Sequence, residues 1–532
     1  MSIETVRLLT PELIVVLAAT LIYVGGAFLP HRKLWLATAL LALLAAAGSL
    51  VGQYDRLFWP AGAHEPILAA AVPGPLAADM LGQYVRLLAL VVGGVFVLTA
   101  SRPRNESLAA EFLGTLLLAV AGVMLVGGAR ELVMLFLGLE LISVPTYVLL
   151  FLGRRDGASA ESAAKYFFLS ILSSGITLYG FTFLYGIAGS TDLAQLRDVM
   201  AGYVAAGAAV PPFAVLALVL LFAGLGFKIA AVPFHFYAPD VYQGTTHGNA
   251  GVLSVLPKIA GIAALVRTAS AALPGAEDTA VRIALVLSLL TMTLGNVTAL
   301  WQNNLRRLFA YSSIANAGYL LIGLAAASAA RQAGLAEIDG IGASLFYLAA
   351  YAFAAAGTFA AFAYLGGRGD AVETVDELAG VGRAQPLVAA LLAVFMFSFA
   401  GLPPLAGFWG KFALFSAAVK VGTADPAATK LTAWFLVLAV AGMVNAAVSA
   451  AYYLRIVAVM YFRDADRPLP ADGAAGPKFA AVLCGLLVLA FGLGPGTLST
   501  ATSGASRSAF ALPGTPASAP IAASAPHSNL PR

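Results

Sequence analysis

The feature that most constrains this chain is a recurrence of apolar runs, each long enough to cross a bilayer, joined by short connections. A hydrocarbon core needs roughly 20 apolar residues per helix, and about fourteen such runs are centred near residues 20, 43, 90, 117, 141, 178, 220, 260, 290, 315, 352, 400, 445 and 488. Backbone in lipid must satisfy its own N–H and C=O groups, so these runs are expected to be helices and the fold class an all-α polytopic membrane protein. Composition agrees, since 60% of the 532 residues are hydrophobic and 11% charged, where a water-soluble domain has about 25% charged residues. The first run is too long for a signal-peptide core and is followed by PHRK rather than a small-residue cleavage site, so it is expected to stay as a helix.

Two classes of function fall away. The net charge of +4 is small for this length and the basic residues are dispersed, which leaves no nucleic-acid footprint. The single cysteine, Cys484, sits in an apolar run, so neither an intrachain disulfide, nor a thiolate zinc site, nor a cysteine-held iron–sulfur cluster can form within the chain.

Basic residues are retained on the cytoplasmic side of a membrane. Alternate connections carry Arg32 and Lys33, Arg102 and Arg104, Arg154, Arg155 and Lys165, Arg306 and Arg307, Arg368 and Arg383, then Arg463, Arg467 and Lys478. The opposite set (Arg7, Arg56, Arg130, Arg197, Arg267, Arg282, Arg331, Lys420, Lys430) is smaller, so the first set is expected inside and both termini outside. From Ser503 onward the sequence is rich in Ala, Pro and Ser and is expected to be a disordered tail over 503–532.

Two of the apolar runs are interrupted. Residues 226–244, GFKIAAVPFHFYAPDVYQG, place Lys228 next to Pro233, and AGLPPLAGFWGKF places Gly and Pro at membrane depth beside Lys411. Paired interrupted helices mark transporters built from repeats. If each is the fourth member of a five-helix unit, the units span 107–273 and 279–462, after N-terminal helices in 1–106 and before a C-terminal helix in 463–502. Five is odd, so the second unit enters the membrane from the other side. Two inverted five-helix repeats, each with a broken helix, follow. Non-helical backbone is tolerated there only where it is buried in protein or lines a polar cavity.

An ionisable group at the bilayer centre costs about 2.5–3.5 kcal/mol on insertion scales. Glu140 lies in the middle of ELVMLFLGLELISVPTYVLLFL, Lys258 directly follows Pro257, and Lys228 and Lys411 flank the breaks. Each alone can snorkel or act as helix glue, but one acid and three lysines at depth point to chemistry. Other candidates have plainer readings. Glu161 and Lys165 in ESAAKYFFL are a surface i,i+4 pair; His235 is either a satisfied interfacial histidine or a proton carrier; Arg86 and Arg455 snorkel to the membrane edges. FGLGPG at 491–496 has no strand before it and reads as a helix end, not a nucleotide loop.

A buried lysine is pushed toward neutrality by desolvation and toward charge by a nearby carboxylate, so its protonation can be switched. Lysine, histidine and glutamate in series, bridged by water, make a proton path. Sodium would instead want clustered oxygen ligands.

PFHFYAPDVYQG, LPKIAG, NNLRRLFAYSSIANAGYLLIG and GLPPLAGFWGKF, in that order, resemble the antiporter-like subunits of proton-pumping NADH:quinone oxidoreductase, respiratory complex I, and most closely the subunit N type. The resemblance covers about residues 5–500. It implies that Glu140 of the fifth helix pairs with Lys228 of the broken seventh, that Lys165 is a sixth-helix lysine with Glu161 beside it, that His235 and Lys258 form a central relay, and that Lys411 is the terminal lysine of the broken twelfth helix. A lysine rather than a glutamate at 411, and the lack of a long lateral helix after residue 500, favour subunit N among its siblings. DVYQGTTHGNAG departs from the family pattern at Gln243 and His247, which leaves the detail of that loop in doubt. The resemblance further implies protons as the transported ion, the other membrane-arm subunits and the lipid bilayer as partners, and a multi-pass place in a bacterial inner membrane. No cofactor is expected in this subunit, with NADH, flavin, iron–sulfur clusters and quinone in partner subunits. An Mrp-type cation/proton antiporter or a membrane-bound hydrogenase subunit shares the fold and the Lys/Glu pattern and stays open as the alternative, as does a purely structural subunit.

Overall fold

The computed structural model describes residues 3–58, 74–100, 108–154, 156–271, 273–367, 372–424, 431–465 and 474–510. Arg102, Arg104, Arg155, Arg368, Lys430 and Arg467, used above for orientation, lie outside them. Among the described residues thirteen helices are long and apolar enough to cross a membrane, and a shorter apolar helix spans Pro386–Ala400.

Three helices, α1 (Ile3–Phe28), α2 (Arg32–Phe58) and α3 (Met80–Thr99), precede the first unit. That unit comprises α4 (Ala109–Gly128), α5 (Leu132–Gly153), α6 (Gly157–Ala188), a short α7 (Leu193–Ala205), the broken pair α8 (Pro212–Ile229) and α9 (Ala238–Gly244), and α10 (His247–Leu265). The second comprises α11 (Glu277–Leu300), α12 (Leu305–Gln332), α13 (Gly340–Gly366), a short α14 (Val381–Ala384), the broken pair α15 (Pro386–Ala400) and α16 (Ala406–Gly422), and α17 (Thr432–Phe462). The chain continues through α18 (Ala475–Leu493) and α19 (Pro495–Phe510).

Equivalent helices pack equivalently. α4 lies on α5 and α10 as α11 lies on α12 and α17, and α6 lies on α8 as α13 lies on α15. Glu373 accepts from Arg154, just past the end of α5, and from Arg306, at the start of α12. The end of α5 and the start of α12 therefore share one side, called here the basic end. α4 starts at that end and α11 finishes there, so the units run in opposite directions, as the odd helix count requires.

Both breaks follow the same plan. α8 stops at Ala230 with φ 58° and α15 at Gly401 with φ 85°, left-handed conformations that end a helix. A β-carbon at 230 makes this costly, and glycine at 401 removes that cost. Backbone donors freed by the breaks find hydroxyls: Val232 N–H donates to Thr291 at 3.0 Å and Gly407 N–H to Ser398 at 3.2 Å. α10, α12 and α13 are wholly buried in their spanning windows and form the seam between the units, whereas α1 and α2 lie mostly exposed on the outside of the chain.

Two expectations need correction. Residues 503–510 are not the start of a disordered tail but the end of α19, so the boundary at 502 cuts a helix; 511–532 lie outside the described residues. Small residues let α19 pack closely, with Thr502, Gly504, Ala505 and Ala509 buried against α3 and α13. Arg86 does not snorkel but is 1% exposed and meets the equally buried Glu12 at 2.8 Å. Arg455 caps the end of α11, donating to the carbonyls of Leu300 and Gln302. The short α7, capped by Asp192, was not anticipated.

Candidate functional site

Lys228 sits in the last turn of α8 and is 5% exposed. Its Nζ donates to Ser143 on α5 at 2.6 Å and to Ser170 on α6 at 3.2 Å. Glu140, half-buried on α5, accepts from Ser174 on α6. The expected direct Glu140–Lys228 ion pair is absent among the described residues. Instead the two groups are offset by one helical turn on both neighbouring helices, Glu140 to Ser143 along α5 and Ser170 to Ser174 along α6. Hydroxyls satisfy the ammonium without fixing it to a charge, and each can both accept and donate a proton.

Lys258, on α10, is 2% exposed and reaches across the seam to α12, donating to the Ser313 carbonyl at 2.6 Å and its hydroxyl at 2.8 Å. The Tyr351 ring lies 5.1 Å from the same Nζ, and its hydroxyl also donates to Ser313. Lys228 and Lys258 are neighbours through α10, because the stem of Lys228 packs at Gly261, one turn from Lys258.

Lys411, on α16, is 3% exposed, donates to the carbonyl of Phe399 at 2.6 Å and lies 4.6 Å above the Tyr319 ring. Between Lys258 and Lys411 runs a polar stripe on α12: Ser312, Ser313, Asn316 and Tyr319, one face of a helix otherwise buried in apolar surroundings. Tyr453 bonds Ser312 at 2.6 Å, Tyr347 donates to Asn316, and Asn296 donates to Tyr319 at 3.1 Å. None of the three lysines contacts a carboxylate among the described residues.

His235 lies in the break between α8 and α9, half-buried and beside the Pro233 backbone. No hydrogen bond joins it to Lys258. Lys165 is placed elsewhere than the central line: it pairs with Glu161 at 2.6 Å and with Asp240 on α9 at 3.0 Å in an open cleft at the basic end. The surface reading of Glu161 and Lys165 therefore holds for their exposure but misses the third partner. Gln243 and His247 have defined places as well, Gln243 accepting from Arg307 at 3.1 Å and His247 Nε2 lying 2.7 Å from the Val372 carbonyl.

Sequence reading missed the hydroxyls that complete the site: Ser143, Ser170 and Ser174 in the first unit and the α12 stripe with its tyrosines in the second. The signal was present in YSSIANAGY, where polar residues recur at helical spacing inside a run that crosses a membrane. No group of three or more His, Cys, Asp or Glu side chains able to hold a metal occurs among the described residues.

A family described as "NADH:quinone oxidoreductase/Mrp antiporter, TM" matches residues 129–437. A protein of Rhizorhabdus wittichii named NADH-quinone oxidoreductase subunit N is 38% identical over 495 residues, covering 91% of this chain and 93% of its own. Its namesake in Rhodospirillum rubrum is 36% identical over 508 residues, covering 94% and 96%. Among solved structures, a chain of respiratory complex I from Thermus thermophilus superposes with a TM-score of 0.73 at 31% identity over 93% of this chain and 99% of that one. A chain of the Mrp complex from Dietzia sp. DQ12-45-1b gives 0.77 at 20% identity over 96% and 98%, a likeness of fold alone.

Proposed function

The chain belongs to the NADH:quinone oxidoreductase/Mrp antiporter transmembrane family, and from that membership we propose a proton relay through its buried lysines, driven by electron transfer in partner subunits. It is a multi-pass inner-membrane protein of the subunit N type, a membrane component of NADH-quinone oxidoreductase. Further parts of the reading are our own. Glu140, Lys228, Lys258 and Lys411 form the relay, His235 serves it from the break, and Lys165 acts at the basic end, which faces the cytoplasm. Flavin, iron–sulfur clusters and the NADH and quinone sites belong to partner subunits, and antiporter-like siblings are its neighbours in the membrane.

The observation that carries this reading is the company the lysines keep. Each ammonium is buried, yet meets hydroxyls, carbonyls and aromatic faces rather than a fixed carboxylate. An amine held as glue would be locked into an ion pair, whereas an amine met by neutral groups can lose its proton and regain it. A line of ammonium groups also repels sodium, which favours the proton as cargo. Moving one charge through the membrane potential costs about 2.3 kcal/mol per 100 mV, more than side chains supply unaided, so an external drive is required.

Purification of the chain with its natural partners tests the assignment. Recovery of flavin and iron–sulfur subunits with it is the expected result; recovery of a set without redox centres would place it with the Mrp-type antiporters instead.

A further inference from the structure

α9 has seven residues, yet it joins the basic-end cleft to the buried seam. On one side Asp240 accepts from Lys165 of α6 at 3.0 Å and from Arg307 of α12 at 2.7 Å, so a single carboxylate bridges the two units. Arg307 also donates to Gln243 on α9 at 3.1 Å, and Lys165 is shared with Glu161. Asp240, Gln243, Lys165 and Glu161 line a cleft of about 440 Å³. On the other side, two residues along, Tyr242 is buried and donates to Ser313 at 3.4 Å, the same hydroxyl that receives Lys258. α9 is seated against α6 at Gly244, where a β-carbon would lie 1.8 Å from Ser162 Oγ.

We propose that Asp240 is a positioning residue that latches α9 between the two units, and that release of its ion pairs opens the basic-end cleft toward Lys258. The chemistry suits a latch. Asp240, Lys165 and Arg307 are all partly exposed, and ion pairs of that kind are individually weak, so the set holds α9 in place without making its release prohibitive. α9 has break residues on its α8 side, whereas Thr245 and Thr246 on the other side bond Asn249 and cap α10, so a shift of α9 hinges at the break. Tyr242 moves with it, taking a donor away from Ser313 and leaving room beside Lys258. The consequence for proton entry rests on the relay reading above; the latch itself does not.

The test uses the purified intact complex with Val241→Cys as reporter in a Cys484→Ala background, because Val241 is fully buried on α9 and Cys484 is the only cysteine of this chain; label is read on this subunit after the complex is separated into its chains. The rate of labelling by a bulky charged maleimide reports how often α9 leaves its seat. With Asp240→Asn the rate is expected to rise by about tenfold, as loss of a small ionic network allows, and Asp240→Glu is expected to restore protection. Arg307→Gln, which breaks the same bridge from the other unit, is expected to raise it likewise and serves if Asp240→Asn does not assemble. Unchanged labelling in whichever of the two assembles would overturn the latch. Pumping measured on the same preparations keeps the readings apart: faster labelling with unchanged pumping retains the latch and removes its link to the relay.

Discussion

Lys411 Nζ lies 2.6 Å from the carbonyl oxygen of Phe399, in the last turn of α15, the other half of its own broken helix. Lys228 occupies the last turn of α8, the corresponding half-helix of the first unit. Each broken helix thus turns the negative end of its dipole toward an ammonium at membrane depth. The breaks offset part of the desolvation of the charged form while leaving the neutral form accessible.

Lys411→Met is therefore expected to leave the complex assembled. Removing a buried ammonium recovers about 2.5–3.5 kcal/mol of insertion cost, and the freed Phe399 carbonyl gives back about 1–3 kcal/mol. The midpoint of thermal inactivation should move little while proton pumping falls. A complex that fails to assemble would mark Lys411 as structural.

The hydroxyls around Lys228 should matter in proportion to its charge. Hydrogen bonds to charged groups contribute about 1.5–3 kcal/mol, so Ser143→Ala and Ser170→Ala should each slow pumping by roughly tenfold or more. Both touch one Nζ, so the double variant should fall short of the sum of the two effects. Full additivity in pumping rates would show that they act separately.

Outside the relay, Glu12 and Arg86 form an ion pair that no part of the proposed path uses. Arg86→Met leaves a buried carboxylate without its partner and should cost roughly 3–5 kcal/mol, whereas Glu12→Leu with Arg86→Met should recover most of it. Yield of folded protein and thermal midpoint read both effects. A double variant as damaged as the single would contradict the pairing.

At the basic end the pH dependence of stability should carry the sign of Glu373. Burial pushes its carboxyl up, but Arg306 and Arg154 outweigh that and hold it below the ordinary carboxylate range. The ionised form is favoured by folding, so the contribution is present above the unfolded value near pH 4.3 and is lost as pH falls through the depressed one. Glu373 is partly exposed, so Glu373→Gln should cost no more than about 1 kcal/mol at pH 7. Thermal midpoints of the two proteins should converge in acid; a gap that widened there would reverse the sign.

Much of this was legible because lipid leaves a chain few choices. Apolar runs had to be helices, and the Gly and Pro clusters beside Lys228 and Lys411 located both breaks. Pairwise geometry was not legible. Glu140 and Lys228 looked like partners, yet which turn of α5 faces α8 depends on packing, and Ser143 rather than Glu140 arrives at the ammonium. Arg86 looked like a snorkelling residue because its acid, Glu12, lies on a helix distant in sequence. Residues 503–510 of α19 looked disordered because Ala and Ser also serve where helices pack closely, and only the neighbours α3 and α13 decide between the two.

The most direct measurement is the number of protons moved per NADH oxidised by vesicles holding an assembled Lys228→Ala complex. Pumping and coupled quinone reduction falling together, with the complex present at normal levels, is the expected result. A normal ratio at a normal rate would contradict the relay.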